Sequence, residues 1–200
     1  DKSEYILDCR GQSEMPAEFL RRVVKYFPVK DVIVLSPVLP VKSQKEYSGL
    51  FNTASEILEM AEHERLSLAD IAVRYETRRS GLNETEVFDK MAEIVAVLKK
   101  TIKDAASVQQ EYPDRILGRQ ARLLPEKDMA TGGVLHSVIR YITLLMEAKS
   151  SMRTIVAAPT AGSCGAVPGT LIGAAEALGL PEDAVVKAML AAGMVGVLIA

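Results

Sequence analysis

A mainly α-helical chain with a small β-α-β segment at its start is predicted by three observations. Ala, Leu, Val and Met dominate while aromatic residues make up 5% and Trp is absent, a composition that favours helices over a β-sandwich or barrel. From Asn52 onward apolar residues recur with helical spacing behind capping residues. Period-two alternation and short apolar runs are confined to the first forty-odd residues. With 48% apolar residues over 200 positions the chain can bury a core.

In chain order, YILDC and DVIVLSPVL read as strands on either side of MPAEFLRRVVKYF. In that middle stretch Phe19, Leu20, Val23, Val24 and Phe27 form one apolar face. Asn52 or Thr53 caps TASEILEMAEHE, and Ser67 caps LADIAVRYE with Asp70 three residues on as a capping box. Asn83 opens a long helix that aligns Val87, Met91, Ile94, Val95 and Leu98. Pro113 and Pro125 bracket a loop, and a further helix is expected from about Gly133 to about Lys149 with Leu135, Ile139, Ile142 and Leu145 inward. Ala188 to Ala200 is apolar or glycine throughout and has no polar cap, so it reads as a buried helix whose partner segments follow residue 200. It is shorter than the ~18–20 residues a membrane span needs. A fragment ending there should expose an apolar patch and self-associate.

The charge balance narrows the function. Twenty-four Lys and Arg against 26 Asp and Glu leave a formal charge of −2, without the basic excess that would neutralise phosphates or hold an anionic membrane, so neither nucleic acid nor membrane is an expected partner. The two cysteines, Cys9 and Cys164, cannot make a disulfide framework, and no signal peptide opens the chain, so a cytoplasmic setting is expected. Residues 154–200 hold four of the 50 charged side chains but seven of the 13 glycines. Such a segment must be surrounded by protein, with backbones or a ligand in close approach.

Chemistry is therefore sought in TIVAAPTAGSCGAVPGTLIGAAEAL, an apolar run, a turn at Pro159 and a helix containing Leu171 and Ile172. Gly162 and Gly165 permit positive φ and bare backbone, while Thr160, Ser163 and Cys164 bring small bonding or ligating groups toward a helix N-terminus. Such a loop can hold a carboxylate, a phosphate or a thiolate-bound metal. It can equally be a glycine-rich turn between buried elements in which Cys164 is a small hydrophobe. It is neither a Walker A loop nor a GxGxxG turn. His136 is a possible acid/base, though a lone helical His is more often structural, and His63 among Glu62, Glu64 and Arg65 reads as solvated. Glu147 either organises the loop by hydrogen bonding or is an exposed carboxylate at a helix end.

The stretch MEAKSSMRTIVAAPTAGSCGAVPGTLIGAAEAL resembles the signature of the α chain of iron–sulfur-dependent L-serine dehydratases, and SGLFNTASEILEMAEHERLSLADIAVRYE resembles the start of that domain. The resemblance covers most of residues 49–200, which divides the chain into an N-terminal β-α-β extension, 1–48, and an incomplete helical domain, 49–200. It implies a four-iron four-sulfur cluster (4Fe-4S) on three cysteines, one of them Cys164, with an open iron that acts as Lewis acid on the serine hydroxyl. It also implies that the other ligands follow residue 200. Thr160, Ala161, Gly162, Ser163 and Gly165 would receive the carboxylate of the amino-acid substrate through side chains and backbone N–H groups. A β domain or β subunit and a homo-oligomer are the implied partners. Glu147 matches a family position, whereas Met146 and Lys149 stand where the family has asparagines, Arg153 replaces a glycine, and Val134 replaces an acidic residue after Gly132 and Gly133. A related lyase on another β-substituted amino acid, such as a cysteine desulfidase, or a non-catalytic paralogue with an anion-binding loop, are the alternatives.

Overall fold

The fold is that of a computed structural model, which describes residues 16–30, 32, 49–107, 118–124, 133–151, 153–156 and 162–199. The chain divides into two compact units, Asp1–Leu39 and Pro40–Ala200. The first contains helix α1 (Ala17–Tyr26), where the apolar face of MPAEFLRRVVKYF predicted one, and none of its residues is buried. The two strands expected beside it lie outside the described residues, apart from Val32, which is not in a strand.

The second unit is helical throughout its described residues: α2 (Ala54–Glu64), α3 (Leu68–Ser80), α4 (Glu84–Ser107), a 3-10 turn (Ala121–Leu123), α5 (Val134–Ser150), α6 (Ser163–Ala177) and α7 (Glu182–Ile199). No helix among the described residues is long and apolar enough to cross a membrane. The starts follow the predicted capping chemistry. Thr53 and Glu56, and likewise Ser67 and Asp70, form reciprocal capping boxes. Asn83 and Glu86 exchange the same pair of bonds at 2.9 and 2.8 Å. Two ends close in left-handed conformation, α2 at Arg65 (φ 55°) and α3 at Gly81 (φ 74°).

The Ser67 hydroxyl and backbone N–H both donate to the Asp70 carboxylate and hold its pKa below the ordinary carboxylate value. A depressed folded-state pKa means that this stabilisation is complete above the unfolded-state value and is lost as pH falls through the folded-state value. Ser67→Ala is expected to cost about 1 kcal/mol. Its urea midpoint should fall less steeply with acidification than that of the parent; parallel pH profiles would contradict the assignment.

At the centre lie Ile71, Val95, Leu98, Leu144, Leu145 and Val186, one or two from each of α3, α4, α5 and α7. Helix α7 packs on α3 and α4, and α5 makes its most extensive contact with α6. That last contact explains the glycine density. A Cβ on Gly165 would stand 2.7 Å from Met146 Sδ, one on Gly169 2.7 Å from the Ile142 backbone, and one on Gly173 2.9 Å from the Ser137 carbonyl. Spaced four apart, the three glycines form a bare stripe along α6 that admits the backbone of α5.

Helix α5 corrects the expected inward face. Leu145 is buried and Ile142 is held against α6, but Leu135 is 60% and Ile139 45% exposed. The protein-facing side carries His136, Leu144 and Glu147 instead. A hydrophobic pattern cannot identify a face whose buried members include two polar residues. Helix α7 differs from its expectation as well. It begins six residues before Ala188, buries Val185, Val186, Leu190 and Met194, and leaves Val195 and Val197 exposed.

The stripe gives a paired test. Alanine is a better helix former than glycine by ~1 kcal/mol, so Gly193→Ala, with nothing within 4 Å of the new methyl, should be neutral or stabilising. Gly169→Ala meets backbone that cannot swing away, and should be net destabilising by about 1–3 kcal/mol. Thermal melts in which both variants are stabilised would refute the close approach.

Candidate functional site

The segment that follows α5 is fixed at two points. After α5 the chain turns at Ser151, and the Arg153 amide donates to the Ala148 carbonyl at 2.9 Å. Residues 153–156 then run in non-helical backbone. Thr101, buried on α4, donates its hydroxyl to the Thr154 carbonyl at 2.8 Å, with the Val97 carbonyl of its own helix at 3.0 Å. The segment leading toward the glycine-rich loop is thereby tied to the long helix. Nothing local in the sequence marks Thr101 for this role, because its partner lies 53 positions away.

Of the residues expected to form the site, Gly162, Ser163, Cys164 and Gly165 are described, while Thr160 and Ala161 lie outside the described residues, as does Cys9. Gly162 is the N-cap of α6 and its carbonyl accepts from the amides of Gly165 and Ala166 at 3.1 and 3.0 Å. The positive φ anticipated at these glycines is not used: Gly162 is right-handed (φ −82°), and Gly165 sits within the helix. Bare backbone is used, at Gly165, where Met146 fills the space a Cβ would need. Cys164 is 4% exposed. It lies in the first helical turn of α6. Four residues on, Pro168 is buried inside the helix and has no N–H to donate back to the Cys164 carbonyl.

Glu147 is 6% exposed, so the reading of an exposed helix-end carboxylate is incorrect. One of its oxygens accepts the backbone N–H of Gln120, and also that of Ala121 at 3.0 Å. The loop it organises is thus the one that opens the 3-10 turn. Arg119, beside that contact, reaches the Ala105 carbonyl of α4 at 3.3 Å. His136 is buried on α5, whereas His63 is exposed in the last turn of α2. The departures from the family pattern are also located: Val134 opens α5, Lys149 is half-buried in its last turn, and Arg153 is exposed just beyond it.

Among the described residues no group of three or more His, Cys, Asp or Glu side chains could hold a metal ion. The donor set tests the cluster implied by the resemblance. Cys164 has the ligand type for one iron, and the described residues contain no second cysteine. They fit one corner of such a cluster and not the whole of it.

A family model described as "Serine dehydratase alpha chain" matches residues 63–200. The chain belongs to the serine dehydratase alpha-chain family. The match takes in α3 to α7 and the Cys164 turn. Among individual members, the chain is 24% identical over 155 residues to the "Probable L-serine dehydratase, alpha chain" of Bacillus subtilis (strain 168), covering 76% of this chain and 51% of that protein. It is 26% identical over 131 residues to the "L-serine dehydratase, alpha chain" of Peptoniphilus asaccharolyticus, covering 64% and 45%. To the "L-serine dehydratase" of Streptomyces coelicolor it is 28% identical over 154 residues, covering 74% and 33%. The chain thus spans about half or less of the length of these serine dehydratases. No solved structure matches it.

Proposed function

We propose that this serine dehydratase alpha-type chain is part of an iron–sulfur L-serine dehydratase, a lyase that converts L-serine into pyruvate and ammonia in the cytoplasm, working with a β domain or β subunit as a homo-oligomer. One observation carries the reading: a buried cysteine, Cys164, in the first turn of a helix, inside the segment that matches the family. Cys164 supplies one thiolate of a 4Fe-4S cluster, and further thiolates come from outside the described residues. When bound, the cluster supplies an open iron that draws charge from the serine hydroxyl as it leaves.

The chain's own residues do the binding. The backbone N–H groups of Ala161 to Cys164, with the hydroxyls of Thr160 and Ser163, receive the substrate carboxylate at the positive end of α6, while the Gly165 N–H is held by the Gly162 carbonyl. Fixing the carboxylate there fixes the Cα–H and the β-hydroxyl relative to Cys164. The overall balance is loss of the α-proton and of the hydroxyl as water, then hydrolysis of the resulting aminoacrylate, as its imine, to pyruvate and ammonia.

The test is anaerobic reconstitution of the full-length protein with iron and sulfide, followed by pyruvate assays on L-serine. Iron-dependent absorbance together with serine turnover supports the assignment. Sulfide release from cysteine without serine turnover points to the desulfidase-like lyase, and absence of any cluster points to the anion-binding paralogue.

A further inference from the structure

The end of α5 lies beside the start of α6. Gly165 packs against Met146, Gly169 against Ile142, and Gly173 against Ser137 and Val138, so each step of four along α6 is a step of about four back along α5 and the two helices run antiparallel. Carried on toward the start of α6, the same register sets Ala148 and Lys149 level with Ser163 and Gly162. At ~1.5 Å per residue, Ser151 then stands about 4–5 Å beyond the first residue of α6. That is the level at which a ligand accepting from the first N–H groups of a helix must sit.

Ser151 caps the C-terminal end of α5, and its backbone N–H donates to the Glu147 and Ala148 carbonyls at 3.0 and 3.2 Å. Its hydroxyl is used differently. The oxygen is shielded from solvent and has no hydrogen-bond partner in the chain. A buried hydroxyl without a partner costs free energy that an alanine would not. Among the described residues, side-chain atoms of Thr77 and Arg140 share that condition, but Thr77 belongs to α3 and Arg140 lies about three turns back along α5. The unused donor on Ser151 is the one level with the N-terminus of α6.

We propose that the Ser151 hydroxyl is a further substrate-binding group, donating a hydrogen bond to the α-carboxylate of the amino acid held at the start of α6. The proposal rests on the reading of that helix end as the carboxylate site. The anion is then met from two helices, by backbone N–H groups of α6 and by one hydroxyl at the end of α5. A carboxylate has two oxygens and about four acceptor positions, so it can take both sets of donors. A hydrogen bond to a charged acceptor is also stronger than a neutral one, which offsets the cost of keeping the hydroxyl buried and unused in the ligand-free protein.

The experiment is calorimetric titration of L-alanine, which has the carboxylate and amino group but no leaving hydroxyl, into the full-length protein reconstituted anaerobically with iron and sulfide. Steady-state kinetics on L-serine accompany it. Ser151→Ala should weaken L-alanine binding about tenfold or more and raise KM for L-serine by a similar factor, while kcat changes little. Ser151→Thr keeps the hydroxyl and should restore most of the affinity. Ethanolamine, which lacks the carboxylate, should show no difference between the parent and Ser151→Ala. Thermal melting of the ligand-free alanine variant should match or exceed the parent, because the hydroxyl it loses bonds to nothing in the chain. Unchanged L-alanine affinity in Ser151→Ala, an equal loss for ethanolamine, no L-alanine binding to the parent, or a destabilised ligand-free variant would each overturn the proposal. The lyase reading fails separately: a parent that binds L-alanine through Ser151 yet forms no pyruvate would refute the lyase and keep the carboxylate contact, whereas pyruvate formation with L-alanine binding unaltered by Ser151→Ala would do the reverse.

Discussion

Cys164→Ser in the full-length protein is expected to lose iron-dependent absorbance and pyruvate formation together, whereas Cys9→Ser keeps both. The reason is chemical rather than steric. A serine hydroxyl nearly reproduces the shape of the thiol, but at neutral pH it stays protonated, and a helix N-terminus cannot supply the energy needed to make it an alkoxide ligand. The buried Cys164 position should otherwise tolerate the change. Thermal unfolding of the apo variant within a few degrees of the parent would separate loss of a ligand from loss of the fold. Retained absorbance and turnover would dismiss Cys164 as a ligand and leave the anion-binding reading as the better account of the loop.

The second large effect is structural. Glu147→Ala should lower the unfolding free energy by about 1–3 kcal/mol, because two backbone N–H groups lose their shared acceptor and that of Ala121 is buried where little water can replace it. Glu147→Gln keeps an amide oxygen that can accept, and should recover a large part of the loss. Urea titration of the three proteins decides this. Equal destabilisation by alanine and glutamine would mean that the carboxylate's charge matters more than the two bonds. An alanine variant as stable as the parent would show that the 3-10 turn is not held by Glu147 at all.

These two residues illustrate what a linear sequence carries. The helix starts at Thr53, Ser67 and Asn83 were legible because the donor and acceptor of each box lie three positions apart. Cys164 stood out as a candidate because glycines crowd its segment and that segment resembles the family signature. Glu147 was ambiguous because its partners lie 26 and 27 positions away, with no local trace of the contact. The inner face of α5 was misassigned for a related reason: apolar periodicity selected Leu135 and Ile139, while the protein buried His136 and Glu147. The glycines of α6 were correctly read as marking close approach, and at Gly165, Gly169 and Gly173 what approaches is the backbone and side chains of α5.

That stripe also bears on the order in which the molecule assembles. Three glycines and an internal proline within the fifteen residues of α6 make it a very poor helix by itself, at a cost of ~1 kcal/mol for each glycine and ~3 kcal/mol for the proline. A synthetic peptide of this segment should be random coil in water. Helix α6 is therefore expected to form as it docks on α5, late in the folding reaction. The turn holding Cys164 is then a product of tertiary assembly. Iron offered to a nascent or partly unfolded chain would meet a thiol on a flexible strand, whereas iron offered after the two helices have joined would meet one already held in place.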